Sequence, residues 1–577
     1  MEFVVSGGNK NAHISLDQLW RGDILFLTVR MEMESSQIPE KFRVFWKIKD
    51  KGCYSVWSPD VLQARNLAHD WEKKSTDSRL ASNMPIHQLI SAGGQNCMNI
   101  AVADCTSPIC ITTGICEEDA CVDCEVEFFT IPTAPVSTYS TVIRLDMRKI
   151  PYYDSIYDTV TWWEQECGYK PAHVPDAARM PMNSLWYSYH QQLDPEGIVK
   201  ECRWSRPLGM ETVLIDDGWQ TDDNSRGYAY CGDWQAAEKK MGNMKKLVDR
   251  IHGEGMKIVL WYSVPFVGIH SQKYEEFKDM LLDQSGDRKT FWALDPRYKK
   301  VRDHLVGIYT TAVTEWGLDG LKLDFIDSFS LRGKSMEEDP KRDYSSLEEA
   351  IDVLLTDVMK ALTAINPEIM IEFRQSYVGP SIRKYGNMLR VGDCADDAIV
   401  NRQNIVDLRF TSGKTAVHSD MIMWNPEDTV ESAALQFAHI LYSVPQISMR
   451  ADSLPPDHCR MLQYYLSFWL EWRSVLLDGK LTAKNPECLY SQVCSTLQEK
   501  AVFTVYTDRI VDVCTEETVV VNASGEGTLI LKNAAGKKFR TVNCMGEELA
   551  VGMISGNLEE VEVPMSGMLF LTLSKKF

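Results

Sequence analysis

The strongest constraint on how this chain folds is an alternation across its middle. Short apolar runs recur there, each followed by a longer amphipathic and charged stretch. The runs are MNSLWYSYH (182–190), TVLIDD (212–217), KIVLWYSV (257–264), GLKLDFID (320–327), IMIEFRQ (369–375), NMLRVGD (387–393), TAVHSD (415–420) and PQISMR (445–450). Between them lie helix candidates such as GNMKKLVDRIHGEG, KKVRDHLVGIYTTAVTEWG and SLEEAIDVLLTDVMKALTAI. Strand-then-helix units of this kind pair as a parallel sheet with right-handed crossovers. Eight of them predict closure into a TIM (β/α)8 barrel. The rival is an open doubly wound sheet, and no glycine-rich phosphate fingerprint follows any run to support it.

The flanks read differently. Residues 1–150 carry short alternating or β-branched runs (DILFLTVRME, FRVFWKIK, NIAVADC, ICITTGI, YSTVIRL) separated by Gly, Asp, Ser and Pro clusters. That pattern predicts an antiparallel β-sandwich. The stretch from 484 repeats it with AVFTVYTDRIVDV, TVVVNASGEGTLILKN and VEVPMSGMLFLTLS. The expected division is an N-terminal β-sandwich over 1–150, a catalytic barrel over 151–483 and a C-terminal β-sandwich over 484–577.

Bulk properties narrow the partners. A formal charge of −20 argues against a nucleic-acid grip, which needs a basic face, and against anionic membranes. A small neutral substrate fits better. No run of 18 apolar residues occurs, and the N-terminus MEFVVSGGNKNAHISLDQLW lacks a basic region ahead of an apolar core. The expectation is a cytoplasmic protein without a membrane span. Its 16 cysteines are then expected as reduced thiols. Six of them, Cys97, Cys105, Cys110, Cys116, Cys121 and Cys124, fall close together, and Cys121–Cys124 is a CxxC. A zinc or redox site is one reading; the β-like flanks favour small buried hydrophobes instead. No metal or cofactor is expected.

In a (β/α)8 barrel the chemistry gathers where the strands end. The second run ends Asp216-Asp217-Gly218-Trp219, and the third holds Trp261-Tyr262. The fourth ends Lys322-Leu323-Asp324 with Asp327 behind it. The fifth has Glu372 and Arg374, the sixth Arg390-Val391-Gly392-Asp393, and the seventh His418-Ser419-Asp420. Clustered carboxylates serve either divalent-metal binding, here through His418, Asp420 and Asp216, or glycosidic-bond cleavage. Tryptophans beside acidic strand ends (Trp219, Trp234, Trp261, Trp424) favour sugar, because an indole face stacks on a pyranose ring.

At these residues the sequence resembles the alpha-galactosidase clan, and glycoside hydrolase family 36 above all, through IDDGWQ (215–220), CGDWQ (231–235), GLKLDFID (320–327) and the Asp393 segment. The resemblance implies a retaining exo-acting α-glycosidase, most naturally an α-galactosidase. It implies Asp324 of the Lys322-x-Asp324 motif as nucleophile and Asp393 as acid/base, with Asp396 or Asp397 as alternatives. Asp216 and Asp217 inherit contacts to sugar hydroxyls. Lys322 is expected to hold the Asp324 pKa down, while the field of Asp324, Asp396 and Asp397 is expected to raise that of Asp393. Retention places the two carboxyl groups roughly 5–6 Å apart.

Departures from the family pattern concern the pocket walls. Trp261-Tyr262-Ser263-Val264-Pro265 stands where a Glu-Pro segment is common, and Glu372-Phe373-Arg374-Gln375-Ser376 where Cys-Ser and glycines are common. Arg374 and His418 become candidates for reading an unusual or charged sugar, or Arg374 for orienting Asp393. A raffinose-synthase type of transglycosylase and a catalytically silent sugar-binding protein are the alternatives. Homo-oligomer formation, with Trp46 or Trp57 reaching a neighbour's site, is a further expectation.

Overall fold

The computed structural model describes residues 1–49, 52–59, 64–282, 290–331 and 339–573. Its centre is an eight-stranded parallel sheet: β1 (Met182–Ser184), β2 (Thr212–Ile215), β3 (Lys257–Ser263), β4 (Gly320–Asp324), β5 (Met370–Arg374), β6 (Met388–Arg390), β7 (Ala416–His418) and β8 (Gln446–Ile447). The strands neighbour one another in sequence order, with β8 beside β1. Parallel bridges His418↔Val444 and Ile422↔Ile447 join β7 to the β8 segment and close the barrel. Each expected run supplies one strand.

Strand periodicity explains what fills the interior, because residues two apart face the same way. Leu214, Val259, Met370 and Met388 join Met182 and Ala178 in an apolar cluster at the N-terminal end. Two residues further along the same strands come Asp216, Trp261, Glu372 and Arg390, and two further Ser263 and Arg374. The interior thus runs from apolar floor to charged mouth. Gly320 lets β4 and β5 approach closely: a Cβ there would lie 2.6 Å from the Met370 carbonyl oxygen.

Helices follow seven of the strands. They span Pro195–Ser205, Met244–Gly253, Lys299–Thr311, Leu347–Ile365, Ala398–Thr411, Val430–Ile440 and Pro456–Asp478. Side chains of Asp194, Asn243, Ser346, Asp397 and Thr429 accept from backbone N–H groups at their N-termini, meeting donors that a first helical turn leaves unpaired. The fifth crossover differs: among the described residues only the 3-10 turn Ile382–Lys384 lies between β5 and β6. The N-terminal region packs against it instead. Ser381 Oγ donates to the carbonyls of Leu80 and Cys105, and Arg383 pairs with Glu164 at 2.6 Å, on the helix Tyr152–Gln165.

The N-terminal sandwich faces a five-stranded sheet against a six-stranded one around Leu25, Leu27, Val44, Trp46, Ile100, Val126 and their neighbours. The C-terminal sandwich sets a seven-stranded sheet, beginning at Lys480, against a three-stranded one. Asp407, buried on the helix Ala398–Thr411, ties the three parts together: it accepts from Trp57 at 2.7 Å and also binds Arg65 and Tyr490. Among the described residues no helix is long and apolar enough to cross a membrane. The sixteen cysteines are thiols, and Cys124 lies in the N-terminal core.

Candidate active site

The residues singled out at the ends of β2 to β6 converge on one charged cluster. Asp324 ends β4 and is only 6% exposed. Its Oδ1 accepts from Arg374 Nε at 2.6 Å, Tyr377 OH at 3.1 Å and the Phe325 N–H at 2.8 Å, and its Oδ2 accepts from Trp261 Nε1 at 2.9 Å. Burial alone would raise its pKa; the guanidinium of Arg374, the ammonium of Lys322 and the indole donor outweigh that and lower it. A carboxylate fixed this way stays ionised and pre-aimed.

The turn after it is held under strain. Phe325 adopts φ 64°, the left-handed region that a bulky side chain rarely enters. Its ring is caught among Tyr228, Phe266 and the Arg374 guanidinium.

Lys322 reaches sideways to Asp216, with Nζ 2.6 Å from Oδ2. Asp217 accepts from Gln191 at 2.6 Å and Gln220 at 2.7 Å. Burial pushes its pKa up to about 6, those two bonds opposing and the Asp216 charge assisting.

Arg390 organises the far side. Its Nη1 donates to Asp393 Oδ1 at 2.6 Å and to Asp420 Oδ1 at 2.8 Å. Asp420 also accepts from Tyr187 OH and the Cys394 N–H, both at 2.8 Å. The Asp393 side chain is 63% exposed, and Arg390, with help from Lys322 and Arg374, holds its carboxyl far below the usual range. The expected upward shift is therefore corrected: cations, not carboxylates, dominate around Asp393. Asp396 and Asp397 are engaged elsewhere. Asp396 accepts from Gln436, and Asp397 caps the helix Ala398–Thr411 through the Val400 N–H.

Other candidates lie deeper. His418 is fully buried beneath the cluster. Its Nε2 bonds the Ala178 carbonyl at 2.7 Å, on the floor side, and its Nδ1 faces Gln446 Nε2 at 3.2 Å; burial lowers its pKa to about 4. It is a neutral core histidine and does not read sugar. Among the described residues His418, Asp420 and Asp216 form no potential metal group. Trp219 is fully buried, donates to the Trp261 carbonyl at 2.8 Å and packs against Trp234, Tyr262 and Trp316. Trp424 is buried against His458. These indoles shape the wall from behind, and Trp261 acts as a donor to Asp324. Trp46 and Trp57 are fully buried in their own chain, so neither reaches a neighbour. Arg374 pairs with Asp324, not Asp393.

Sequence reasoning passed over Tyr377, Gln191, Gln220, Tyr187 and Arg390 in its site roles. Gln220 lies within the IDDGWQ motif and Arg390 within LRVGD, so both were within reach of a strand-end reading. Tyr377 and Gln191 carry no local signal.

Comparison with known proteins finds relatives of the barrel and of the whole fold. Residues 178–406 match the Melibiase family model. The bifunctional alpha-galactosidase/sucrose kinase AgaSK of Mediterraneibacter gnavus is 27% identical over 206 residues, 34% of this chain and 20% of that one. Alpha-galactosidase Mel36A of Lactobacillus acidophilus is 29% identical over 163 residues, 27% of this chain and 22% of that one. The matched stretches thus span about a fifth of those relatives' lengths. In fold, the likeness covers the whole molecule. The family 36 alpha-galactosidase AgaA from Geobacillus stearothermophilus, solved with raffinose, superposes with TM-score 0.64 at 13% identity, covering 97% of this chain and 81% of that one. The Lactobacillus brevis alpha-galactosidase gives 0.62 at 13%, covering 100% and 86%. Through its barrel segment 178–406 this chain is similar to the melibiase family, and its fold is similar to that of family 36 alpha-galactosidases.

Proposed function

We propose that this protein is a retaining exo-α-glycosidase of α-galactosidase type, acting on a small α-galactoside. The observation that carries the reading is Asp324: a buried carboxylate at the end of β4, kept ionised by Arg374 and Lys322 and aimed by four donors. In this reading an Asp324 oxygen attacks the anomeric carbon, the glycosidic C–O bond breaks, and the leaving oxygen takes a proton from Asp393. Water then gives its proton to the Asp393 carboxylate and displaces Asp324. Lys322, Asp216 and Asp217 bind ring hydroxyls.

The Arg390–Asp393 pair shapes the preference. It favours the carboxylate form, which suits the water-activating step and makes the protonated form scarce at neutral pH. Glycosides with acidic leaving groups, which need little protonation, are the better substrates in this reading. A cytoplasmic setting, in which its sixteen cysteines stay reduced, belongs to the same reading. The proposed division is 1–150, 151–483 and 484–577, with the strand Lys480–Lys484 leading into the C-terminal sandwich.

The test is a panel of p-nitrophenyl α- and β-glycosides with wild type and Asp324→Ala. Wild type releases p-nitrophenol from the α-galactoside; the variant loses roughly 10⁴-fold or more in kcat. Azide restores turnover and yields the β-configured glycosyl azide. Undiminished turnover in Asp324→Ala sinks the assignment.

A further inference from the structure

One of the connections between the two sheets of the N-terminal sandwich lies between the strands Lys74–Ser78 and Ile86–Ser91. It does not face solvent. Leu80, Ala81 and Met84 are buried in the same apolar core as the barrel, and its polar groups grip the barrel rim. Arg79 Nη2 donates to the Asp327 carbonyl and Nη1 to the Phe329 carbonyl, each at 2.6 Å. The Asn83 N–H donates to the Ser376 carbonyl at 2.7 Å, and Ser82 Oγ lies 3.2 Å from Ser376 Oγ. Ser376 Oγ in turn approaches Asp327 Oδ2 at 3.4 Å.

Those contacts land on the two segments that hold the charge pair. Asp327 and Phe329 follow Asp324 by three and five residues, beyond the strained Phe325. Ser376 follows Arg374 by two. The guanidinium is a rigid planar fork, and here its two amino groups each take one carbonyl of one turn, a fixed spacing that the single nitrogen of an ammonium does not reproduce. The turn itself is fixed by internal N–H to carbonyl bonds, Arg79 to Ser82 at 2.9 Å and back at 3.0 Å. Its close fit is visible at Gly379, where a Cβ would lie 2.5 Å from the Asn83 carbonyl oxygen. The short fifth crossover leaves room for this docking.

We propose that Arg79, from outside the barrel, is a positioning residue for Asp324: its fork holds the turn after β4, and with Asn83 it keeps that turn in register with the β5 segment carrying Arg374. The kinetic side rests on the glycosidase reading above; the structural side does not. Arg79 touches none of the reacting atoms, so its effect falls on how Asp324 is held.

The full chain and its Arg79→Ala and Arg79→Lys variants decide this. Hydrogen–deuterium exchange is followed over 325–329, 375–378 and, as an internal control, 212–219. The expected result is faster exchange in the first two segments with the third unchanged, in both variants, and melting temperatures close to wild type. On p-nitrophenyl α-galactoside, kcat falls by about 10²-fold in Arg79→Ala, the scale expected of a misplaced catalytic group, while KM stays within about twofold of wild type. Arg79→Lys, keeping the charge but losing the fork, falls between. A proportional loss explained by unfolded protein, or unchanged exchange in both segments, overturns the proposal. If wild type cleaves no glycoside, the glycosidase reading fails on its own, and exchange alone decides the clamp.

Discussion

At the floor of the barrel, Met182, Leu214, Val259, Met370 and Met388 meet in a cluster with no charged member. Two residues along the same strands, Asp216, Glu372 and Arg390 are equally buried, and every cation among Lys322, Arg374 and Arg390 is paired to a carboxylate. The floor is held by burial of apolar area, which is non-directional and tolerant of small shifts. The mouth is held by charges that are costly to bury unless each finds its partner. One end of the strands is built for stability, the other to hold ionised groups where water is scarce.

Breaking each end separately tests that contrast. Lys322→Met leaves Asp216 buried without its cation, and loss of one partner of a buried pair costs about 3–5 kcal/mol. Calorimetry should show a lower Tm, and activity should vanish even in the folded fraction. Met370→Ala opens a cavity in the floor at a comparable or smaller cost of about 2–5 kcal/mol, yet turnover per folded molecule should match wild type. Equal loss of turnover in both variants would erase the distinction between the two ends.

Smaller changes sharpen the account of the mouth. Trp261→Phe keeps the aromatic wall and removes the indole donor 2.9 Å from Asp324. A hydrogen bond to a charged group contributes about 1.5–3 kcal/mol, so kcat should drop about 10-fold or more and the acid limb of the pH profile should move upward, since one influence lowering the Asp324 pKa is gone. Asp217 predicts the mildest effect. Burial pushes its pKa up to about 6, so in the proposed glycosidase reading it is ionised and accepts sugar hydroxyls above that pH and becomes protonated below it. KM should rise by a few-fold as pH falls from 7 to 5, and Asp217→Asn should flatten that dependence.

How much of this was legible beforehand follows from the range of each signal. The eight strands were readable because a short apolar run and its following amphipathic stretch are local patterns. Lys322-Leu323-Asp324 and Asp216-Asp217 were readable because a strand's end and its acidic residues are contiguous. Roles set by distant partners were not. His418 has the same position at a strand end as Asp324, but its bonds to Ala178 and Gln446 turn it toward the floor. Asp393 was expected to feel the field of Asp324, Asp396 and Asp397; Asp324 is paired with Arg374, Asp396 and Asp397 turn to Gln436 and to a helix N-terminus, and Arg390 is left as its neighbour. The tryptophans looked like sugar platforms because they lie beside acidic strand ends, whereas packing put Trp219 and Trp424 wholly inside.

By itself, then, the sequence determined the alternation of polarity along each strand, and with it an apolar floor, a charged mouth and the strand ends where a carboxylate could react. The tertiary structure decided which charge meets which, the absence of an α-helix between β5 and β6, and the grip of Arg79 on a turn some 250 positions away. The physical reason is that periodicity assigns a side chain to a face, whereas the protonation and aim of that side chain depend on donors and charges within a few ångströms, which here arrive from other strands and from outside the barrel.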